Sequence, residues 1–280
     1  MAMSIDEIVA QALKEDIGEG DHTSLAAIGQ GEPGKAHLVA KEDGVIAGVH
    51  IAEKVFHKVD PEIDFVIKIN DGTTIKPGDI VFSVSGNSIS ILTAERVALN
   101  FLQRMSGIAT FTRKLTQQIT GTNAKLLDTR KTTPLLRELE KYAVKIGGGL
   151  NHRMGLYDMI MIKDNHIDFA GGISNAIDAV HSYLRKKGLT LKIEIEVRNF
   201  VELEEVLEHG GVDRIMLDNF STSDLMRAVK IINRRFETEA SGGINLLTIR
   251  SYAETGVDYI SVGALTHQIR SLDLSLVAIK

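Results

Sequence analysis

The chain has 280 residues, 25% of them charged, a formal net charge of −5 and no cysteine, which describes a globular protein long enough to bury a large core. The lack of cysteine excludes disulfides, thiolate metal sites and cysteine nucleophiles, and the acidic balance without tryptophan argues against a nucleic-acid partner. No apolar run approaches the ~20 residues of a membrane helix. The N-terminal segment is acidic and amphipathic, unlike a signal peptide, so we expect a cytoplasmic protein without a membrane partner.

The first hundred residues have the pattern of a small α+β domain. Ser4 is a candidate N-cap for a helix that ends near Gly18, and the glycine-rich run 15–24 is interpreted as a helix C-cap followed by a second N-cap. Four runs rich in Val and Ile, at 36–41, 45–47, 65–69 and 80–85, predict strands. Turns between them favour an antiparallel sheet.

A long helical pattern starts near Leu92, with its apolar residues on one stripe. Ser106 and Gly107 are expected to bend or break this helix, and we place a domain boundary there. The predicted domains are therefore 1–107 and 108–271, and a last strand at 272–280 could rejoin the first domain. Arg96 and Arg104 also lie on this helix, where an arginine is usually a solvated side chain.

Residues 108–271 alternate between strand and helix patterns. Six strands are predicted, at 124–127, 159–162, 191–197, 214–217, 238–240 and 259–262. Repeated βα units of this kind form a parallel sheet with right-handed crossovers. Because no strand leads into a G-x-G-x-x-G sequence, an α/β barrel is favoured over an open dinucleotide-binding sheet. Six units rather than eight predict an incomplete barrel.

Polar residues and glycines follow the predicted barrel strands. In α/β barrels the active site lies at the carboxyl ends of the strands, which selects Arg130, Lys131, Lys163, Glu196, Asp218, Ser241, Gly242, Gly243 and Gly263. Barrels often bind phosphate at the last strands through backbone N–H groups, although tight turns would explain the same glycines. Together with the cations, this set favours a phosphorylated or polyanionic ligand.

The acids and the run Asn151–Arg153 allow several chemical roles. Glu196 and Asp218 could hold Mg²⁺, hydrogen-bond to sugar hydroxyls, or pair with the lysines. His152 could act as a general acid or base, or only position an anion. Arg153 offers bidentate recognition of carboxylate or phosphate. These residues predict an enzyme that acts on a small phosphorylated polyanion, and they leave the reaction type open.

The same residues lie in motifs that resemble one family along nearly the whole chain, the quinolinate phosphoribosyltransferases, also called carboxylating nicotinate-nucleotide pyrophosphorylases. The matching stretches are EDIGEGDHTS (15–24), TAERVALNFL (93–102), SGIAT (106–110), DTRKTTP (128–134), KYAVKIGGGLNHRMGL (141–156), IKDNHI (162–167), MLDNF (216–220), EASGGI (239–244) and TGVDYISVGALTH (255–267). One departure is Leu135, where the family often has glycine.

The resemblance implies a type II phosphoribosyltransferase fold, with an N-terminal α/β sandwich and a C-terminal incomplete α/β barrel. It implies Mg²⁺-dependent transfer of phosphoribosyl from phosphoribosyl pyrophosphate to quinolinate with loss of CO₂, which gives nicotinate mononucleotide for NAD biosynthesis. The implied substrate-binding set is Arg96, Arg130, Lys131, Thr132, His152, Arg153, Lys163, Glu196, Asp218, Ser241, Gly242, Gly243 and Gly263. Within it, Lys131, Glu196 and Asp218 are the implied catalytic residues.

The implied roles divide this set by ligand. Arg96, Arg130, His152, Arg153 and Lys163 would surround the carboxylates of quinolinate, and Lys131 would face the pyrophosphate. Glu196 and Asp218 would engage ribose hydroxyls or the metal, and the Ser241 to Gly243 run with Gly263 would hold the 5′-phosphate.

The family also implies a homodimer whose active site is shared, with Arg96 supplied by the partner subunit, and such dimers could assemble further. Two other interpretations stay open on the sequence. One is a homologous transferase with a different acceptor, such as the relative linked to molybdenum transport. The other is a non-enzymatic protein that binds phosphorylated metabolites.

Overall fold

The structure is a computed structural model that describes residues 3–279. It forms two compact units. The first contains the residues up to Arg113, Thr132–Gly148 and the residues from Leu265 onward, and the second contains Lys114–Lys131 and Gly149–Ala264. Residues 1 and 2 of the predicted range 1–107 and residue 280 of the predicted range 272–280 lie outside the described residues. No helix within 3–279 combines the length and apolar character needed to cross a membrane.

Helices and strands follow the chain in this order. The helices are α1 Ile5–Ile17, α2 His22–Ala27, α3 Val49–Val59, α4 Ser88–Gln118, α5 Arg137–Ile146, α6 Asp164–Ala170, α7 Ile173–Lys187, α8 Phe200–His209, α9 Thr222–Ile232, α10 Ile249–Ala253 and α11 Ala264–His267. The strands are β1 Pro33–Ala40, β2 Gly44–Val45, β3 Asp64–Ile67, β4 Thr74–Ile75, β5 Ile80–Asn87, β6 Lys125–Leu127, β7 Ile160–Ile162, β8 Ile193–Val197, β9 Arg214–Asp218, β10 Glu237–Ser241, β11 Tyr259–Ser261 and β12 Leu274–Ala278.

The first unit is built on a four-stranded antiparallel sheet in the order β12-β1-β5-β3. Strand β12 pairs with β1 so that Ala36 lies opposite Ala278. The α3 helix packs against this sheet through Phe56, whose ring lies 5.8 Å from that of Phe65 and 6.0 Å from that of Phe82. This sheet-and-helix arrangement confirms the predicted antiparallel α/β unit.

The glycine-rich run 15–24 has the structure expected of two successive helix caps. Gly18 ends α1 with a φ of 53°, and its N–H donates to the carbonyl of Lys14. Asp21 then caps α2 by accepting a hydrogen bond from the N–H of Ser24 at 3.0 Å. These contacts confirm the structural interpretation of this motif.

Helix α4 runs without interruption through Ser106 and Gly107, so the predicted break there is wrong. The Ser106 hydroxyl accepts from the N–H of Ala47 at 3.0 Å. Gly107 leaves room for the backbone of Arg270, which any side chain at this position would overlap. Small residues here serve close packing rather than a helix end, and the predicted 107/108 boundary falls inside a continuous helix.

The second unit is a six-stranded parallel sheet in the order β6-β11-β10-β9-β8-β7. Because β6 pairs with β11, the first and last strands of the series are neighbours, as in a barrel. In the described residues β6 and β7 do not pair, and Leu127 of β6 instead forms an isolated bridge with Leu150, which precedes β7. The predicted incomplete α/β barrel is therefore confirmed.

The inner face of this barrel is polar. All five residues of β8 are buried, and side chains along a strand alternate between its faces. Ile193, Ile195 and Val197 therefore share the face under the helices, whereas Glu194 and Glu196 share the inner face. The same alternation gives β10 an inner face of Glu237, Glu239 and Ser241 and β9 one of Arg214 and Asp218.

Candidate active site

Lys163 and Glu196 meet at the carboxyl ends of β7 and β8. The Lys163 Nζ lies 2.6 Å from Glu196 Oε2. The backbone of Lys163 is fixed because this residue is the N-cap of α6, and its N–H donates to His166 Nδ1 at 2.9 Å. The lysine side chain remains 44% exposed whereas Glu196 is 10% exposed, so the ammonium group is available to a ligand.

Asp218, Ser241 and Gly242 meet at the ends of β9 and β10. One oxygen of Asp218 accepts from the Ser241 hydroxyl, and the other accepts from Asn219 Nδ2 at 2.5 Å. Asn219 has a left-handed φ of 55°, and its N–H donates to the Ser241 carbonyl at 2.9 Å. Gly242 has a φ of 99°, and a Cβ there would overlap the Asn219 side chain. The loop therefore closes around the Asp218 carboxylate.

The glycine loop after β10 offers backbone N–H groups rather than a helix N-terminus. The helix that follows this loop begins only at Ile249 and has five residues. It starts late because Asn245 and Thr248 form a turn, in which the N–H of Asn245 donates to Thr248 Oγ1 at 3.0 Å. Gly243 has a φ of 62° with open space around it. Gly263 occupies the equivalent position between β11 and α11.

His152 is buried beneath these strand ends and is held on both sides of its ring. Its backbone N–H donates to Asp128 Oδ1 at 2.8 Å, and its Nδ1 accepts from the N–H of Arg153 at 2.7 Å. The Nε2 atom lies 2.9 Å from Glu194 Oε2 and 3.5 Å from Glu239 Oε2. The ring therefore links the loop that carries Arg153 to the inner face of the barrel.

The buried acids beside His152 act on the proton affinity of its ring. Burial, followed by the charge of Glu239, raises the pKa of Glu194 to about 7. Burial acts to lower the pKa of His152, whereas the two carboxylates act to raise it. A second ring proton would lie on Nδ1, 2.7 Å from the Arg153 N–H. This contact favours the neutral ring with its proton on Nε2.

Arg153 stands beside further positive charge. Burial, followed by the nearby charge of Arg130, lowers the pKa of Arg153, as expected where two like charges are held together. Its Nη1 donates to the Met159 carbonyl at 3.2 Å, which restrains the guanidinium. Arg130 and Lys131 are exposed. A cation pair of this kind favours a bound anion.

Two of the predicted residues, Arg96 and Thr132, belong to the first unit. Arg96 is exposed on α4. The Thr132 hydroxyl accepts from Arg137 Nε at 3.0 Å.

Sequence reasoning did not single out Arg214 and Glu239, and it placed Asn219 only as the residue that follows Asp218 at a strand end. Arg214 Nη1 donates to Glu239 Oε2 at 3.0 Å, and its guanidinium lies 4.0 Å from the centre of the Tyr259 ring. A signal was available, because β10 carries Glu237 and Glu239 at alternate positions, as β8 carries Glu194 and Glu196, and β9 begins with Arg214 on the face that also holds Asp218. Nothing in the sequence marks the left-handed conformation of Asn219.

Two family descriptions match the chain in succession. "Quinolinate phosphoribosyl transferase, N-terminal domain" matches residues 21–106, and "Quinolinate phosphoribosyl transferase, C-terminal domain" matches residues 108–277.

Individual relatives agree over most of their length. A quinolinate phosphoribosyltransferase [decarboxylating] 1b of Nicotiana tabacum is 48% identical, with 96% of this chain and 81% of the relative covered. A probable nicotinate-nucleotide pyrophosphorylase [carboxylating] of Bacillus subtilis is 40% identical over 98% of this chain and 93% of the relative. The crystal structure of NadC from Streptococcus pyogenes superposes with a TM-score of 0.92 at 41% identity, with 97% and 96% of the two chains covered.

Proposed function

Because the chain belongs to the quinolinate phosphoribosyltransferase family, we propose that it transfers phosphoribosyl from phosphoribosyl pyrophosphate to the ring nitrogen of quinolinate. Pyrophosphate and CO₂ leave, and nicotinate mononucleotide is formed for NAD biosynthesis. The observation that carries this proposal is the placement of two carboxylates and a cation at adjacent strand ends, with Glu196 paired to Lys163 and Asp218 held by the Ser241 hydroxyl. Such a site can stabilise opposite charges on one substrate.

The cations would recognise the anionic groups. Arg130, Arg153 and Lys163 are proposed to bind the two carboxylates of quinolinate, whereas the ring nitrogens of His152, predicted to join them, face the Arg153 N–H and two buried glutamates instead. Burial and then the nearby charge of Arg130 lower the pKa of Arg153, and this supports the role because a dicarboxylate would relieve the repulsion between the two arginines. Lys131, with Thr132 next to it in sequence, is proposed to face the pyrophosphate and to stabilise its charge as it leaves.

The acids would act at the ribose. As the bond to pyrophosphate breaks, the ribose carbon gains positive charge, and fixed carboxylates stabilise such a state electrostatically. Glu196 and Asp218 are proposed for this role and for hydrogen bonds to ribose hydroxyls. The hydrogen bonds from Ser241 and Asn219 hold Asp218 in one orientation, which lowers the reorganisation needed during reaction. Ser241, Gly242, Gly243 and Gly263 are proposed to bind the 5′-phosphate through hydroxyl and backbone N–H groups.

Loss of CO₂ needs little help from the protein. Once the ring nitrogen carries ribose it is cationic, and the electrons of the breaking carbon–carboxylate bond remain on the adjacent carbon, where that charge stabilises them. A proton then replaces the carboxylate. The task of Arg130 and Arg153 is therefore to bind and orient the ring, rather than to move protons.

Mg²⁺ is proposed as the cofactor. Magnesium prefers oxygen ligands and usually binds through one or two carboxylates together with substrate phosphates. The donor set fits this preference, since Glu196 and Asp218 present carboxylate oxygens at adjacent strands, each with capacity beyond its present partners. When bound, the ion would neutralise charge on the pyrophosphate.

The site is proposed to be completed in a homodimer. Arg96 is exposed on α4, and we propose that it reaches the quinolinate site of the partner subunit. Further assembly of dimers and a cytoplasmic location remain predictions from the sequence.

The test is incubation with quinolinate, phosphoribosyl pyrophosphate and Mg²⁺, with pyrophosphate and CO₂ measured together. Equal amounts of both products are expected. If pyrophosphate is released without CO₂ when another acceptor is present, that acceptor would replace quinolinate as the proposed substrate. If neither product is formed, a non-enzymatic binder of phosphorylated metabolites would be favoured.

A further inference from the structure

A buried charged cluster lies on the inner face of the barrel below the candidate site. It consists of His152, Glu194, Arg214 and Glu239, of which both glutamates are 0% exposed. Burying two carboxylates carries a large desolvation penalty, so such clusters seldom add stability compared with apolar packing. A role other than stability is therefore worth seeking for them.

The orientation of the His152 ring decides what the cluster can do. Nδ1 accepts the Arg153 N–H at 2.7 Å, so the ring proton lies on Nε2, between Glu194 and Glu239. A metal held by these three residues would instead need the Nε2 lone pair. Metal-bound histidines donate their other ring N–H to an acceptor, whereas Nδ1 here faces a donor. The geometry favours a cluster held by short polar contacts, such as the 2.9 Å from Nε2 to Glu194, over a metal site, and among the described residues none of the contacts to Nε2 aligns as a full hydrogen bond.

The cluster is fixed from the far side of the barrel. Arg214 bonds Glu239 at 3.0 Å and Glu237 at 3.1 Å. Glu239 Oε2 thus lies between the arginine and His152 Nε2. The contacts therefore run from Arg214 to Glu239, from Glu239 to the His152 ring, and from that ring to the backbone N–H of Arg153.

We propose that Glu194 and Glu239, braced by Arg214, are positioning residues that set the place of Arg153 through the His152 ring. His152 is fixed twice, at its backbone by Asp128 and at its ring by the carboxylates, so its Nδ1 defines where the Arg153 N–H can lie. The Met159 carbonyl then restrains the guanidinium. This inference rests on the proposed function, in which Arg153 binds a carboxylate of quinolinate.

The test compares two substitutions of one carboxylate. Glu194→Met keeps the length of the side chain but removes both oxygens, whereas Glu194→Gln keeps an amide oxygen that can contact Nε2. Either variant leaves Arg214 balanced by Glu239, so folding is expected to survive, which thermal unfolding checks. The matched control is Glu237→Met. It removes the other carboxylate that binds Arg214, and Glu237 is 35% exposed.

The expected result is a split between the two substrates. Glu194→Met should raise the KM for quinolinate about ten-fold, the effect of losing one orienting polar contact, with little change in kcat or in the KM for phosphoribosyl pyrophosphate. Glu194→Gln should recover most of the loss, and Glu237→Met should resemble the parent. Equal effects of Met and Gln, or parallel changes in both KM values, would overturn the proposal.

A second measurement needs no turnover. Nitrogen NMR of the free protein should show His152 neutral with its proton on Nε2 in the parent and in Glu194→Gln, and a mixture of tautomers in Glu194→Met. A protonated Nδ1 in the parent, or stoichiometric metal in the purified protein, would overturn the inference. If the parent does not convert quinolinate, the proposed function fails, and the NMR result alone then decides whether the cluster orients the ring.

Discussion

Gly242 offers a sharp test of how the Asp218 carboxylate is held. Its φ of 99° is unfavourable for any residue with a Cβ, and that Cβ would overlap the Asn219 side chain and lie 3.0 Å from the Asn219 backbone nitrogen. In Gly242→Ala, Asn219 must therefore move, and its hydrogen bond to Asp218 Oδ2 is lost.

The magnitude follows from two contributions. A side chain in the left-handed region costs about 1–2 kcal/mol, and a hydrogen bond to a charged group contributes about 1.5–3 kcal/mol. Gly242→Ala should thus lower the free energy of unfolding by about 3 kcal/mol. Gly188→Ala is the matched control, since Gly188 has a φ of 63° with open space around it and lies at the end of α7. It should cost only about 1 kcal/mol.

The assay combines urea unfolding with steady-state kinetics. Gly242→Ala should raise the KM for phosphoribosyl pyrophosphate about ten-fold or more, because the carboxylate and the phosphate loop both shift, whereas Gly188→Ala should leave it unchanged. In an Asn219→Ala background the same substitution should cost less, as contacting residues are not additive. Equal stability losses at Gly242 and Gly188, or full additivity with Asn219→Ala, would refute the reasoning.

Three further predictions concern strain, the shared site and the metal. Leu135 is 71% exposed with a φ of 66°, so Leu135→Gly should raise the free energy of unfolding by about 0.5–1 kcal/mol, whereas Leu135→Ala should not. A lower free energy of unfolding in urea for Leu135→Gly would contradict this. Arg96→Ala and Lys163→Ala should each be inactive, yet mixing them should restore about a quarter of the parent activity through hybrid dimers; no recovery despite demonstrated subunit exchange would argue against a shared site. Chelation with EDTA should stop CO₂ release and added Mg²⁺ should restore it, and turnover that persists in EDTA would remove Mg²⁺ from the proposal.

The repeating part of the fold was predictable because its signals are local. The strand predicted at 191–197 corresponds to β8 at Ile193–Val197. The uninterrupted course of α4 was not predictable, because Ser106 and Gly107 usually weaken a helix. Their tolerance here depends on Ala47 and Arg270, which are distant in sequence.

In the candidate site, too, the features with local signals were predictable and those that depend on long-range contacts were not. Strand ends identify Lys163, Glu196 and Asp218 as neighbours, since parallel strands end at one edge. The sequence does not reveal that His152 turns its Nε2 towards Glu194, because the path of that loop depends on the hydrogen bond to Asp128. Long-range contacts of this kind have no counterpart in residue spacing.

The pairing of β12 with β1 has a consequence for how the protein is made. The partners Ala36 and Ala278 are about 240 residues apart, and the second compact unit lies almost entirely between them in sequence. During synthesis one edge of β1 therefore stays unpaired until residues 274–278 have left the ribosome, and an unpaired strand edge is a template for association with other chains. The nascent chain would thus rely on chaperones, or on early folding of the barrel, to protect that edge until β12 arrives.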